Sequence, residues 1–187
     1  MKFSEQWLRE WLDTDLGRDD LLDRLTMSGL EVEGTEAVAP DFSGVVVARV
    51  LKIDPHPDAD KLRVCQVDCG QPETVTIVCG AANVVENGFF PLAMPGAVLP
   101  DGMKIKAAKL RGVASAGMLC SARELGLAEE AGGLMPLEDD HPPGTDIRQA
   151  LGLDDTIIEL SLTPNRGDCL GIAGIARDAA ALSSAAS

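Results

Sequence analysis

The residues best suited to chemistry in this sequence are basic side chains between Gly102 and Arg123. No aspartate or glutamate occurs in that stretch, although the chain has 30 acidic residues against 16 basic ones. Lysine and arginine side chains bind phosphate, so an acid-free basic stretch indicates contact with a nucleic-acid backbone. The spacing of Lys104 and Lys106 predicts that both lie on one face of a strand. The other basic residues of the stretch are Lys109, Arg111 and Arg123.

A purely structural explanation of these lysines stays open. Strands at a surface often carry lysine because its charge prevents edge-to-edge association of sheets. Spacing alone favours that explanation, whereas the exclusion of every carboxylate from this stretch, in a chain of formal net charge −14, supports the functional one.

A second polar group surrounds His56, which lies between two prolines and close to Asp54, Asp58 and Asp60. Such a group occurs in hydrolytic and metal sites. Aspartate and proline are also turn-forming residues, and a turn explains the group without any chemistry. We favour the turn.

The cysteines present a choice between a zinc site and buried thiols. A zinc site needs close pairs of cysteine or histidine, but the sequence has no CxxC pair and only two histidines. A free thiol is a small apolar group that prefers the interior, so we predict buried structural thiols. They are Cys65, Cys69, Cys79, Cys120 and Cys169.

Catalytic patterns are lacking in the sequence. It contains no glycine-rich phosphate loop of the P-loop or dinucleotide-binding type. It also offers no recognisable set of nucleophile, base and orienting residue. The sequence therefore predicts a binding module with no catalytic residue, metal or cofactor of its own.

The composition is that of a folded protein, with 187 residues, 45% hydrophobic and only 3% aromatic. A sequence pI near 4.4 argues against attraction of the whole surface to nucleic acid or to anionic membrane. No apolar run suits a signal peptide or approaches the ~18 residues of a membrane span. We therefore expect a cytoplasmic protein.

The elements that position these residues fall into three segments. Residues 1–39 predict a helix over 4–13 capped by Ser4, a helix from Asp19 that ends at Gly29, and a strand. The first helix is expected to bury Trp7, Leu8, Trp11 and Leu12.

Residues 40–152 predict short strands separated by turns, as in a small barrel. Among them, a strand over 45–53 should end before two prolines, and 61–69 should pair with 74–79. Residues 153–187 predict a strand and a final helix capped by Asp168. Each flank is too small to fold alone, so we expect the two to combine, with the β domain inserted between them.

Four motifs follow one another in the middle of the chain. They are 56–62 (His-Pro-Asp-Ala-Asp-Lys-Leu), 77–83 (Ile-Val-Cys-Gly-Ala-Ala-Asn), 110–121 (Leu-Arg-Gly-Val-Ala-Ser-Ala-Gly-Met-Leu-Cys-Ser) and 124–127 (Glu-Leu-Gly-Leu). Together they resemble the tRNA-binding OB-fold domain of aminoacyl-tRNA synthetases. The flanks carry three further motifs, 4–12 (Ser-Glu-Gln-Trp-Leu-Arg-Glu-Trp-Leu), 25–33 (Leu-Thr-Met-Ser-Gly-Leu-Glu-Val-Glu) and 162–170 (Leu-Thr-Pro-Asn-Arg-Gly-Asp-Cys-Leu). These resemble the N-terminal region of the bacterial phenylalanyl-tRNA synthetase β subunit.

The resemblance implies a mainly β protein with flanking α, in which a five-stranded OB-fold barrel (40–152) is inserted into a small discontinuous α/β domain (1–39 plus 153–187). It implies a fragment of a longer β subunit, partnered by tRNA and by the α subunit in a cytoplasmic α2β2 heterotetramer. That enzyme attaches phenylalanine to its tRNA with ATP and magnesium, and its aminoacylation site belongs to α. We expect no DNA partner.

The same resemblance predicts the RNA-binding residues. Phosphate contacts are expected from basic residues, hydrogen bonds to base or ribose from Asn83 and Ser115, and packing on a base from Met118. The predicted basic contacts are Lys61, Lys104, Lys106, Lys109 and Arg111. Two alternatives stay open: a structural docking module that binds no RNA, and a free-standing tRNA-binding protein, in which the flanks would have no place.

Overall fold

The computed structural model describes residues 1–130, 132–138 and 141–184, without the side chains of 183 and 184. The strands are β1 (Lys2–Ser4), β2 (Glu31–Ala37), β3 (Ser43–Pro55), β4 (Arg63–Asp68), β5 (Val75–Cys79), β6 (Phe89–Val98), β7 (Ala108–Leu110), β8 (Val113–Ser115), β9 (Met118–Leu119) and β10 (Thr156–Ser161). The helices are α1 (Glu5–Trp11), α2 (Arg18–Met27), α3 (Ile147–Ala150) and α4 (Ile172–Ser184), with a 3₁₀ turn over Gly167–Cys169.

The chain divides into two compact units. One consists of Met1–Val38 together with the chain from Asp154 onward, and the other of Ala39–Leu153. The first unit contains a three-stranded antiparallel sheet in the order β1-β10-β2. Its core is formed by apolar side chains of this sheet and of α1, α2 and α4.

Helix α1 begins as predicted, because the Ser4 hydroxyl oxygen accepts a hydrogen bond from the Trp7 amide at 3.1 Å. Its buried face differs from the prediction. Leu8 and Leu12 are buried, whereas Trp7 and Trp11 are 46% and 58% exposed. The predicted apolar stripe is wide, and this small core covers only its leucine side.

Of the other two long helices, α2 ends as predicted and α4 begins later than predicted. Gly29 has a φ of +92° and lies just past α2, and the Leu30 amide closes that end on the Leu25 carbonyl, as predicted. The prediction that Asp168 caps the last helix is wrong. Asp168 lies in the 3₁₀ turn and pairs with Arg166, and α4 begins only at Ile172.

The second unit is built on a curled five-stranded antiparallel sheet in the order β5-β4-β3-β6-β9, a half-barrel. Strand β3 is long enough to serve two neighbours: residues 43–49 pair with β6 and residues 49–55 with β4. Irregular register on both sides of β3 marks where it bends. The strand runs to Pro55, beyond the predicted end, since a proline at the last position removes no hydrogen bond that the strand needs.

The pairing of β4 with β5 is confirmed, in the register Cys65 opposite Ile77. The prediction of buried free thiols is also confirmed: all five cysteines are free and buried. Burial raises the pKa of Cys65 to about 11 and that of Cys120 to about 12. The sequence prediction of a mainly β fold with a few helices is therefore correct.

Candidate nucleic-acid interface

Strands β7 and β8 form a two-stranded hairpin that carries Lys109 and Arg111. Leu110 pairs with Val113, so Arg111 and Gly112 make up the whole turn, with φ values of 45° and 88°. Two consecutive positive φ values define a type I′ turn, which favours asparagine or glycine. An arginine in this conformation costs on the order of 1 kcal/mol. Arg111 is exposed at the tip of the hairpin.

Lys104 and Lys106 precede the hairpin. They are exposed on either side of Ile105, which is buried, so both side chains point away from the core. The prediction of a strand here is wrong, since the segment pairs only through an isolated bridge between Lys104 and Val98. The side chains of 104–106 still alternate between solvent and core, because Ile105 forms two backbone hydrogen bonds with residues of β6, Gly96 and Ala97.

The exposed cations of this region lack acidic partners. Ion pairs occupy Lys2, Lys52 and Arg166 elsewhere in the chain. Over the residues that the structure describes, no such pair involves Lys61, Lys104, Lys106, Lys109 or Arg111. Five cations are thus available to an external anion.

His56 connects two of the basic segments, a role that the sequence analysis missed. Its Nδ1 accepts from the Asp58 amide at 3.1 Å, and its Nε2 lies 3.1 Å from the Leu110 carbonyl oxygen. The acceptor role of Nδ1 assigns the proton to Nε2, which therefore donates to Leu110. The ring is 5% exposed. It holds the loop that carries Lys61 against the hairpin that carries Arg111.

Two depressions lie along β5. An open groove of about 530 Å³ follows the start of the strand and includes Lys109 in its lining. A pocket of about 350 Å³ adjoins the end of the strand and includes Met118, which was predicted to contact RNA. The residues that line this pocket are Val78, Cys79, Gly80, Ala81, Met118, Leu119, Ser121, Glu124, Gly133 and Leu134.

Ser115 is among the residues that line the groove, but its hydroxyl group is engaged. The side chain is 3% exposed, accepts from the Val78 amide and donates to the Gly117 carbonyl, both at 3.0 Å. A further hydrogen bond from the Ala116 amide to Thr76 joins β5 to the segment after β8. Ser115 therefore joins β5 to the segment after β8, and its hydroxyl group is not free to contact RNA.

Asn83 has a similar structural engagement. Its Nδ2 donates to the Leu134 carbonyl and its Oδ1 accepts from the Leu134 amide, both at 2.9 Å. A Cβ added at Gly133 would lie 2.3 Å from Asn83 Oδ1, so this approach requires glycine. Asn83 thus fixes one wall of the pocket.

Comparison with known proteins identifies this region. Residues 45–146 match the family model described as "Putative tRNA binding domain". The chain belongs to this tRNA-binding family. The match spans β3 through the hairpin and both depressions along β5.

The whole chain also resembles phenylalanine–tRNA ligase β subunits. It is 60% identical over 182 residues to that of Bordetella parapertussis, covering 97% of this chain and 23% of the relative. It is 57% identical over 186 residues to that of Dechloromonas aromatica, covering 100% of this chain and 23% of the relative. The chain thus spans about a quarter of the length of these relatives.

Among solved structures, a MetRS related protein from Pyrococcus horikoshii aligns with a TM-score of 0.42 at 28% identity, covering 55% of this chain and 87% of that one. Within the described residues, no helix has the length and apolarity needed to span a membrane.

A group of acidic and thiol side chains in the first unit has the composition of a cation site. The described residues form one group of three potential ligands, Asp168, Cys169 and Asp178. Arg166 donates to both carboxylates, at 3.2 and 2.9 Å, and to the Cys169 sulfur. A guanidinium already supplies the positive charge there, so this group does not fit magnesium or zinc.

Proposed function

We propose that this chain is a tRNA-binding accessory part of a phenylalanine–tRNA ligase β subunit. Membership of the tRNA-binding family and the high identity to these β subunits support the proposal. The observation that carries it is the hairpin tip, where Arg111 occupies a conformation that suits asparagine or glycine better. Strain of this kind is concentrated at functional sites, and here it exposes a guanidinium two residues from Lys109, which has no acidic partner among the described residues.

In this proposal the basic residues contact phosphates and the pocket contacts bases. Lys104 and Lys106 approach one stretch of the RNA backbone, and Lys109, Arg111 and Lys61 approach the neighbouring stretch. Met118 packs against a base. Asn83 and Ser115 act indirectly, by holding the walls of the pocket and the edge of β5.

The architecture that we propose is a five-stranded OB-fold barrel inserted into a small discontinuous α/β domain, with limits 40–152 for the barrel and 1–39 plus 153–187 for the flanks. The curled order β5-β4-β3-β6-β9 and the two hydrogen bonds from β5 to residues 115 and 116 support closure towards a barrel. The two compact units support the limits, which extend beyond the described residues at the C-terminus.

For the whole enzyme, we infer attachment of phenylalanine to its tRNA with ATP and magnesium in a cytoplasmic α2β2 heterotetramer. The names of the relatives support the activity. This chain would contribute tRNA contacts and no reacting group, because its one described cluster of metal-ligand type is already paired with Arg166.

The test is titration of the chain with tRNA at two salt concentrations. Binding through phosphates should weaken steeply as salt rises, by about 0.7 to 0.9 in log–log slope for each contact. The double variant Lys106→Ala, Arg111→Ala should bind more weakly and with a slope shallower by about two contacts. A matched control removes two cations that have acidic partners, Lys2→Ala with Lys52→Ala. Equal losses in both double variants, or no binding at low salt, would reject the proposal.

A second candidate function is protein docking through α1. Trp7 and Trp11 lie one helical turn apart, and about half of each side chain is exposed. Tryptophan is enriched in the centres of protein interfaces. Wild-type tRNA affinity of a Trp7→Ala, Trp11→Ala variant that no longer joins the assembled enzyme would support this role beside RNA binding.

A further inference from the structure

The pocket at the end of β5 has the chemistry of a base site and not of a phosphate site. Its volume of about 350 Å³ is in the range of small-molecule sites. Valine, leucine and methionine side chains supply apolar walls. Glu124 is the one charged side chain among the lining residues, so a phosphate would meet repulsion there.

Glu124 is fixed in place by a reciprocal cap. Its Oε2 accepts from the Ser121 amide at 2.6 Å and from the Ser121 hydroxyl at 2.7 Å, and the Glu124 amide donates back to that hydroxyl at 3.2 Å. Both acceptor positions of Oε2 are therefore in use. Across the described residues, no hydrogen bond engages Oε1, so Glu124, an exposed residue of the pocket lining, keeps one anionic oxygen for an external donor.

Glu124 also acts on Cys79, another residue of the pocket lining. Burial, with the Glu124 charge as a smaller cause, raises the pKa of the Cys79 thiol, and Cys79 also lines the pocket. Cys79 is thus a neutral neighbour, and Glu124 is the one charged side chain of the pocket lining, although the Arg63 charge also acts on Cys79 and lowers its pKa.

We propose that this pocket receives one unstacked base of the bound RNA and selects a base with an exocyclic amino group, through donation of that group to Glu124 Oε1. The inference rests on the proposed RNA-binding function. Cytosine offers N4–H₂ to a carboxylate, which is the pairing expected between glutamate and this base. Uracil has a carbonyl oxygen at the same position, which the carboxylate repels.

Cytosine and uracil form a matched pair of probes because they differ at this edge alone. The experiment measures binding of the wild-type chain to oligo(rC) and oligo(rU) of equal length at pH 7.5 and low salt, by fluorescence anisotropy. We expect about tenfold tighter binding of oligo(rC), the range of a hydrogen bond to a charged group.

Glu124→Gln is the decisive variant. The amide oxygen retains the cap on Ser121, and the amide NH₂ replaces Oε1 with a donor. The ratio of the two affinities should fall to about one or reverse in favour of oligo(rU). Glu129→Gln removes the same charge from an exposed residue outside the pocket lining and should leave the ratio at the wild-type value.

The outcomes separate this inference from the proposed function. Salt-sensitive binding of both oligonucleotides with equal affinity, or a ratio that Glu124→Gln leaves unchanged, would overturn the base selection and leave RNA binding intact. Binding of tRNA without binding of either oligonucleotide would also overturn it. Absence of all RNA binding would overturn both. Equal urea midpoints and slopes of wild type and Glu124→Gln show that the substitution leaves stability unchanged, so that a changed ratio reports on binding.

Discussion

The Nε2 atom of His56 lies 3.1 Å from the carbonyl oxygen of Leu110, and this hydrogen bond joins the loop after β3 to the hairpin that carries Arg111. The other ring nitrogen is held by the Asp58 amide, so the ring is fixed from both sides. A histidine that forms a turn by local chemistry thereby also sets the position of a basic surface more than fifty residues later in the chain.

Two His56 variants separate these roles. His56→Asn retains an acceptor for the Asp58 amide, because asparagine forms the same kind of turn, but it cannot reach Leu110. His56→Gln keeps a donor of suitable length for Leu110. We expect faster hydrogen exchange in β7 and β8 and weaker tRNA binding in His56→Asn, with a loss of about 1 kcal/mol in stability. His56→Gln should retain more of both properties, and equal behaviour of the two variants would contradict the role.

Strain at Arg111 predicts opposite effects on stability and on binding. Arg111→Asn should raise the free energy of unfolding by a few tenths to about 1 kcal/mol, since asparagine tolerates positive φ. The same variant should bind tRNA more weakly because the charge is lost. Arg111→Lys retains the charge and the strain, so its affinity should stay closer to the wild type. Urea unfolding and tRNA titration measure both quantities, and an Arg111→Asn variant with full affinity would refute the assignment.

Ser115 should affect stability more than affinity. Ser115→Ala leaves the Val78 amide without its acceptor in a buried position, which costs about 1–3 kcal/mol. Well below its melting temperature, this variant should keep tRNA affinity within a few-fold of the wild type. A large loss of affinity in a variant of normal stability would instead return Ser115 to the set of direct RNA contacts.

The buried thiols predict how stability depends on pH. Burial raises the pKa of Cys65 to about 11 and that of Cys120 to about 12, from 9.0 in the unfolded chain. Between pH 9 and these raised pKa values the folded state binds more protons than the unfolded state. The stability from the buried thiols is therefore fully present below pH 9 and is lost as the pH rises from 9 through about 11 to 12. Each thiol contributes up to about 1.4 kcal/mol per pH unit in that window.

Urea titrations from pH 7 to pH 11 measure this loss. A Cys65→Ala, Cys120→Ala variant has lower stability at pH 7, because two core groups are smaller, but its decline above pH 9 should be shallower. An equally steep decline in that variant would show that other groups cause it.

Helix α1 provides a test of burial through two residues of opposite exposure, Leu8 and Trp11. Leu8→Ala should lower the free energy of unfolding by about 2–5 kcal/mol, because Leu8 is fully buried. Trp11→Ala removes a larger side chain and should cost about 1 kcal/mol or less, since Trp11 is 58% exposed. A larger loss of stability in Trp11→Ala than in Leu8→Ala, measured by urea unfolding, would instead support the buried tryptophan face that the periodicity predicts.

Features that depend on neighbouring residues could be predicted from the sequence. Ser4 caps α1, Gly29 ends α2, and β4 pairs with β5 after a short turn, because each is decided within a few residues. The acid-free basic stretch and the family motifs are likewise visible without coordinates.

The solvent exposure of these residues and the contacts between distant residues follow from the three-dimensional packing and could not be predicted from the sequence. Trp7 is exposed because the small core covers one side of α1, although its spacing matches that of Leu8. The hydrogen bonds of His56 with Leu110, and of Asn83 with Leu134, join segments that come together only when the sheet curls. Periodicity describes one element at a time, whereas these contacts depend on where several elements lie in space.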